Sequence, residues 1–439
     1  MSPRWMSVVA TAAVLLGLAA PAIADDSIFV PLFSYRTGPY SGSGIPIANG
    51  MRDYLAMLNE RDGGIGGARL AIEECETGYD TKKGIECYEA VKNKGPVVIN
   101  PWSTGITLAL IPHASVDKIP ILSMAYGLSA AALGDTFPWV FNPPDTYWDG
   151  LSTILKQIAA REGGFENLKG KTLGFIFLDA PYGKEPVPLF QQLADKYGFT
   201  LKLYPVAGAE MQNQSTQWLN VRRDKPAYMI MWGWGAMQPT AVKEAVKTEY
   251  PMANFYSVWW MGEEDVRGAG PGAKGIKNLN WHAVGADFPA LQDIKKFVVD
   301  KGQSTATKEQ FGDELYNRGV YNSVLIAEAI HVAQKLSGKK VVTGEEVRRG
   351  MENLNLSAAR WKELGLPGFA NALALSCADH NGHGTLFMQE WDGTKWVAAS
   401  GQVSPMTDVI QPMLEAAAKD YVSKNAGWPK RTEGCDHTT

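Results

Sequence analysis

From residue 28 onward, short apolar runs alternate with amphipathic segments, and this alternation limits the chain to few folds. Residues 28–33 read as a strand. Residues 50–59 read as a helix, with Met51, Tyr54, Leu55 and Leu58 at helical spacing and Asp62-Gly63-Gly64 ending it. Strands then fall at 70–74, 96–100 and 120–124, with helices at 80–93 and 107–117 between them. After Phe141-Asn142-Pro143-Pro144 the pattern restarts with a helix at 147–161 and strands at 172–178, 200–205, 227–232 and 255–260. A strand that follows another through a helix lies parallel to it, so the expectation is an α/β fold with two doubly wound parallel-sheet lobes.

The remaining segments assign themselves less readily. Residues 275–285 read as an extended crossing segment, followed by helices at 290–300 and 315–336. Residues 385–391 and 395–399 form a hairpin turning at Asp392-Gly393. Periodicity does not say which lobe each late element joins. No internal repeat or low-complexity tract is present, which sets solenoids aside.

The amino terminus bears on location. Arg4 precedes an apolar run at 6–18 and the small-residue site Ala22-Ile23-Ala24, the pattern of a secretory signal peptide over residues 1–24 with cleavage after Ala24. The run is too short for a bilayer core of about 30 Å, and no cysteine stands at the cut to carry a lipid. The expectation is a monomer free in the periplasm. A formal net charge of −4 with scattered Lys and Arg gives no footprint for nucleic acid. Four cysteines in an exported chain favour disulfides. Three pairings are open. Cys75 with Cys87 is favoured because a strand end and the next helix can meet, which leaves Cys377 with Cys435 to pin the carboxyl tail.

The segment Leu58-Asn59-Glu60-Arg61-Asp62-Gly63-Gly64-Ile65-Gly66-Gly67 is similar to the helix-end signature of the leucine/isoleucine/valine-binding proteins, the type I periplasmic binding proteins of ABC importers. The similarity continues in order through Gly38-Pro39, residues 80–90, Pro101-Trp102-Ser103-Thr104, Tyr182-Gly183 and Met261-Gly262-Glu263-Glu264. It implies two lobes joined by a three-segment hinge. Lobe one would hold residues 25–143 plus 280–360, and lobe two 144–279 plus 361–439. It also implies a serine that holds a ligand carboxylate, at Ser103, a tyrosine that closes over the ligand, at Tyr182, and an acid for an amino group, at Glu263 or Glu264.

Ligands of open α/β sheets bind beyond the carboxyl ends of the strands. Applied here, that rule selects Tyr40, Ser43, Trp102, Ser103, Thr104, Ala125, Tyr126 and Gly127 in lobe one, and Tyr182, Trp232, Trp234, Glu263 and Glu264 in lobe two. Hydroxyls with the N–H groups of a helix start suit a carboxylate, although Ser103 or Thr104 also reads as a plain helix cap. The departure from the family is aromatic: Tyr40, Trp102, Tyr126, Tyr182, Trp232, Trp234, Trp259 and Trp260 crowd the strand ends where a compact amino acid would need room. Aromatic walls recognise flat rings by stacking and cations by their negative faces, so an aromatic or larger carboxylate competes with an aliphatic amino acid.

Three segments imitate catalytic motifs. Residues 164–172 lack the first glycine of a phosphate loop and lead into a strand, Gly127-Leu128-Ser129-Ala130-Ala131 lacks the last glycine of a nucleophile elbow, and Cys377-Ala378-Asp379-His380-Asn381-Gly382-His383 offers one cluster without the second ligand pair of a zinc site. The reading is therefore a binding protein, not an enzyme, without cofactor or metal, that delivers a small carboxylate to an ABC permease. A sensing role, with the closed form handed to a membrane partner, is the alternative.

Overall fold

The computed structural model describes residues 26–429, 431, 434 and 435, and the expected signal peptide lies outside the described residues. The first sheet is built by β1 (Ser27–Ser34), which pairs in parallel with β2 (Arg69–Glu76), and by β3 (Ile121–Leu122), which pairs in parallel with β4 (Val140–Phe141). Around it lie α1 (Ser41–Asp62), α2 (Thr81–Val91) and α3 (Thr104–Asp117). The strand expected at 96–100 is reduced to single bridges, Phe29 with Pro96 and Ile99 with Ile121. Pro96 has no N–H to donate, and the Asn100 side chain takes over one ladder bond by donating to the Leu122 carbonyl at 2.5 Å.

The chain then enters the second lobe through α4 (Tyr147–Glu162). A capping box starts this helix: Thr146 Oγ1 accepts from the Asp149 N–H at 3.2 Å, and the Asp149 carboxylate accepts from the Thr146 N–H at 2.8 Å. Next come β5 (Thr172–Leu178), α5 (Pro181–Lys184), α6 (Val187–Tyr197), β6 (Thr200–Val206), α7 (Ser215–Asp224), β7 (Tyr228–Trp232), α8 (Met237–Lys247), β8 (Phe255–Ser257), α9 (Glu263–Arg267) and β9 (Lys277–Asn280). The expected strand at 255–260 thus stops at Ser257. The segment expected to be a crossing at 275–285 first contributes β9 to this sheet and only then leaves it.

Helices α10 (Pro289–Ile294), α11 (Glu314–Ser337) and α12 (Gly344–Glu352) return to the first lobe, where α11 packs along α1. The two backbones approach so closely that a Cβ on Gly50 would strike the Tyr316 carbonyl, and one on Gly319 the Ile47 carbonyl. Only glycine permits this contact, which fixes α11 to the first lobe. After β10 (Asn355–Leu356), α13 (Ala358–Glu363) and β11 (Leu373–Ala374), the hairpin of β12 (Phe387–Trp391) and β13 (Trp396–Ala398) completes a second sheet of order β13-β12-β9-β8-β7-β5-β6.

The tail departs from the expected lobe assignment. Helix α14 (Thr407–Lys424) begins against α4, where the Met406 N–H donates to Ser152 Oγ at 3.0 Å, and ends on the first lobe. There Phe137 meets Tyr421 at 5.1 Å and Trp428 at 5.5 Å between ring centres. Residues 361–439 therefore do not all belong to lobe two, because the apolar face of this tail is buried against the wall around Phe137. Cys75 bonds to Cys87 and Cys377 to Cys435, the favoured pairing. Among the described residues no helix is long and apolar enough to cross a membrane.

Candidate functional site

The carboxyl ends of both sheets face one cleft, and turns at those ends carry large rings into it. After β2, the Thr77 N–H and hydroxyl both donate to the Ser34 carbonyl, at 2.7 and 2.8 Å, and Tyr79 follows at φ 62°. Trp102 precedes α3 at φ 51°, held by its N–H donating to the Tyr126 hydroxyl at 2.6 Å and its indole N–H to Met51 Sδ at 2.8 Å. The Gly127 N–H donates to Thr104 Oγ1 at 3.2 Å. From the second lobe, the Tyr182 hydroxyl donates to the Gly233 carbonyl at 2.9 Å, and the Trp260 indole N–H to the Tyr147 hydroxyl at 3.1 Å.

Tyr79, Trp102, Thr104 and Tyr126 of the first lobe, with Tyr147, Tyr182, Trp234 and Trp260 of the second, close around a cavity of about 10 Å³, room for a single water. The rings brace one another. Trp234 and Trp260 meet edge-on at 5.2 Å, Tyr147 and Tyr182 edge-on at 5.2 Å, and Trp102 lies nearly parallel to Tyr126 at 6.2 Å. Such pairs contribute about 0.5–1.5 kcal/mol each beyond buried area, so the wall is stiff. No charged side chain lines it. Burial pushes the Tyr126, Tyr147 and Tyr182 hydroxyls well above their usual range, so all three stay neutral.

Five residues of the sequence reading therefore line the box: Trp102, Thr104, Tyr126, Tyr182 and Trp234, joined by Trp260 from the aromatic strand ends. The others stand elsewhere. Tyr40 stacks on Tyr79 at 4.3 Å, outside the wall. Ser43 is buried within α1, and Ser103 caps α3 by accepting the Ile106 N–H at 3.4 Å. Ala125, at φ 53°, and Gly127 shape the turn that presents Tyr126. Trp232 lies in the layer behind, against Tyr147 at 5.6 Å and Phe175 at 5.9 Å, because it is the last residue of β7, whereas Trp234 stands in the turn beyond the strand end. Glu263 accepts the Glu314 N–H at 2.8 Å, and its carboxylate, those of Glu264 and Asp313 lie within 4.8 Å of one another, away from the box. Burial, with the neighbouring acids adding to it, pushes Glu263 and Glu264 well above the usual carboxylate range.

Sequence reasoning missed Tyr79 and Tyr147. Tyr79 follows β2 and falls under the same strand-end rule. Tyr147 opens a helix after the crossing, where no strand signal points at it. Among the motif imitations, Cys377 is taken by its disulfide, and His380 donates from Nδ1 to the Val140 carbonyl at 2.7 Å while stacking on Phe141. Ser129 gives its N–H to Glu185 Oε1 at 2.5 Å.

That last bond crosses between lobes, as does the Ala236 N–H to the Pro39 carbonyl at 2.9 Å and the edge-on contact of Trp102 with Trp260 at 6.2 Å. The lobes are closed on each other. Burial in this closed contact pushes Glu185 up to about 7, against the opposing hydrogen bonds from Ser129. Closing therefore disfavours the ionised carboxylate. The stabilisation of the closed form is full below the ordinary glutamate range and is lost as pH rises through about 7. Closure measured by small-angle scattering with a saturating ligand is expected to persist at about pH 5 and weaken at about pH 8, and Glu185→Gln is expected to flatten that dependence. A pH-independent wild type would contradict it.

Comparison with known proteins follows the same lines. Residues 27–396 match the family described as periplasmic binding protein. A structure described as an ABC transporter permease from the Pseudomonas fluorescens group is 37% identical, with a TM-score of 0.84 over 93% of this chain and 100% of that one. A branched-chain amino acid ABC transporter protein from Thermus thermophilus with bound valine is 19% identical, with a TM-score of 0.75 over 88% of this chain and 99% of that one. An ABC transporter solute-binding protein from R. palustris in complex with benzoate is 18% identical, with a TM-score of 0.66 over 86% of this chain and 97% of that one. Among curated protein sequences none matches.

Proposed function

This chain belongs to the periplasmic binding protein family, and from that premise we propose that it carries a small, flat aromatic carboxylate to an ABC importer. The family works outside the cytoplasm as the solute-binding part of transporters, and its members are not enzymes. The observation that carries the finer reading is the box itself: seven aromatic rings, Thr104 and no charged side chain. An amino acid would bring an ammonium group, and the acids that the family resemblance assigned to it, Glu263 and Glu264, do not line the cavity. A buried, unpaired ammonium is costly.

A carboxylate fares differently. Thr104 lies at the start of α3, whose first N–H groups have no partner within the helix and carry the positive end of its dipole. Only about 10 Å³ of free space remains between the closed rings, so a ligand must part them, and a single flat ring slid between them asks for the smallest displacement. The R. palustris protein with benzoate is a precedent for that ligand class in this fold. Closure then follows because the ligand touches rings of both lobes and favours the state in which they meet.

Thermal shift with benzoate, 4-hydroxybenzoate, valine and leucine tests the reading. At a hundredfold excess over Kd a ligand adds about 2.7 kcal/mol, so the aromatic acids are expected to raise the melting temperature and the amino acids to leave it unchanged. A rise with the aliphatic amino acids alone would overturn the proposal.

A further inference from the structure

Behind the box lies a fully buried cation. Arg318, one turn into α11, gives Nη1 to the Trp259 carbonyl at 2.8 Å and Nη2 to Asn280 Oδ1 at 2.9 Å and Glu314 Oε1 at 2.6 Å. Its Nε donates to His282 Nε2 at 2.6 Å, which fixes that ring as the neutral Nδ1–H tautomer, donating in turn to the Ala283 carbonyl at 3.0 Å. Burial and the adjacent guanidinium also hold His282 well below its usual range. The guanidinium stacks over Trp281 at 3.9 Å and over Trp260 at 5.1 Å.

Trp260 lines the box and Arg318 does not. The ion pair is also oriented. Its positive end lies against Trp260 and within electrostatic reach of Tyr147, while the free oxygen of Glu314 turns away to accept from Asn280 at 2.7 Å and Gln389 at 2.9 Å. Burial lowers Arg318 only to about 10, so it remains charged at neutral pH.

Resting on the aromatic-acid reading above, we propose that Arg318 is a specificity-determining positioning residue. It fixes Trp260 and, through that ring, selects an anionic ligand over a neutral one of the same shape without touching it. A purely structural role would shift affinity for both ligands together. A charge acting across the ring changes their ratio, and a buried charge does so with little screening by salt.

The test is the ratio of benzoate to benzamide affinity, measured by calorimetry at about pH 8, where Glu314, pushed up to about 7 by burial, is ionised. Arg318→Gln is expected to lower the ratio about tenfold, and Glu314→Gln, which removes the counter-charge while keeping its shape, to raise it several-fold. Added salt is expected to leave the wild-type ratio in place. Should Arg318→Gln fail to fold, Glu314→Gln alone decides. A ratio unmoved in the folded variants overturns the role of Arg318 while leaving the aromatic reading intact. A wild type that binds neither benzoate nor benzamide overturns the aromatic reading first.

Discussion

Gly235→Val is expected to leave both lobes folded and to reduce ligand affinity by at least about 100-fold, or about 2.7 kcal/mol. Gly235 follows Trp234 at φ 57°, and a Cβ placed there would stand 2.6 Å from the Pro39 carbonyl oxygen and 2.8 Å from Tyr40 Cα. Both are backbone atoms of the other lobe, so no side-chain rotation relieves the clash. The contact exists only when the lobes meet, since the next residue, Ala236, donates its N–H to that same Pro39 carbonyl at 2.9 Å. The open form therefore bears only the left-handed backbone strain of a branched residue, on the order of 1–3 kcal/mol, while the closed form bears the clash as well. Two measurements separate these effects. The apo melting temperature reports the strain, and the change in radius of gyration on adding ligand reports closure. Gly235→Ala supplies the intermediate case. Normal compaction in Gly235→Val would mean that the closed contact lies elsewhere.

The elements most legible in the sequence were those whose pattern and partner are both local. The run at 28–33 becomes β1 with one residue added at each end, and the hairpin of β12 and β13 turns where Asp392-Gly393 placed it. Patterns whose partner is distant were read less well. Helix α14 was placed in lobe two with the rest of 361–439, because a family resemblance assigns segments to lobes without naming what covers each face, and here the cover is Phe137 in the other lobe. The same limit applies to the site. The strand-end rule found Trp234 and could have found Tyr79, but it did not separate Trp234 from Trp232, which differ in that Trp232 is the last residue of β7 and Trp234 lies in the turn past it. Family resemblance carried Tyr182 into the box and misplaced Glu263, because α9 follows β8 only after the Trp259 and Trp260 loop, and its acids turn toward Asp313 and Glu314. Arg318 was invisible for a further reason: in sequence it is one charged residue within a long helix, and only the packing of two tryptophans around it reveals what it faces.

The Cys377–Cys435 bond is expected to matter more than Cys75–Cys87, for a reason of chain length as well as of place. Cross-linking restricts the unfolded chain in proportion to the logarithm of the loop closed. A separation of 58 residues is worth about 4 kcal/mol, and one of 12 about 3 kcal/mol. The longer loop also holds the strap formed by α14. Beyond that helix, the Trp428 indole N–H donates to the Thr136 carbonyl at 2.7 Å, and Arg431 reaches Glu352 at 2.5 Å, a carboxylate that also accepts from Arg348 at 2.8 Å. Without the disulfide these end-of-chain contacts must hold the tail unaided, and a frayed terminus uncovers Phe137 and the small residues Ala130 and Ala131 beneath it. Cys377→Ala with Cys435→Ala is therefore expected to lower the melting temperature by about 8 °C, taking about 2 °C per kcal/mol for a lobe of this size. Hydrogen exchange should quicken first in the last turns of α14 while β1 and β2 stay protected. The paired change at Cys75 and Cys87 should cost less and quicken exchange at α2 instead. Equal losses from the two pairs, or an unchanged exchange profile along α14, would show that the strap is held by its own packing and that the disulfide adds nothing to it.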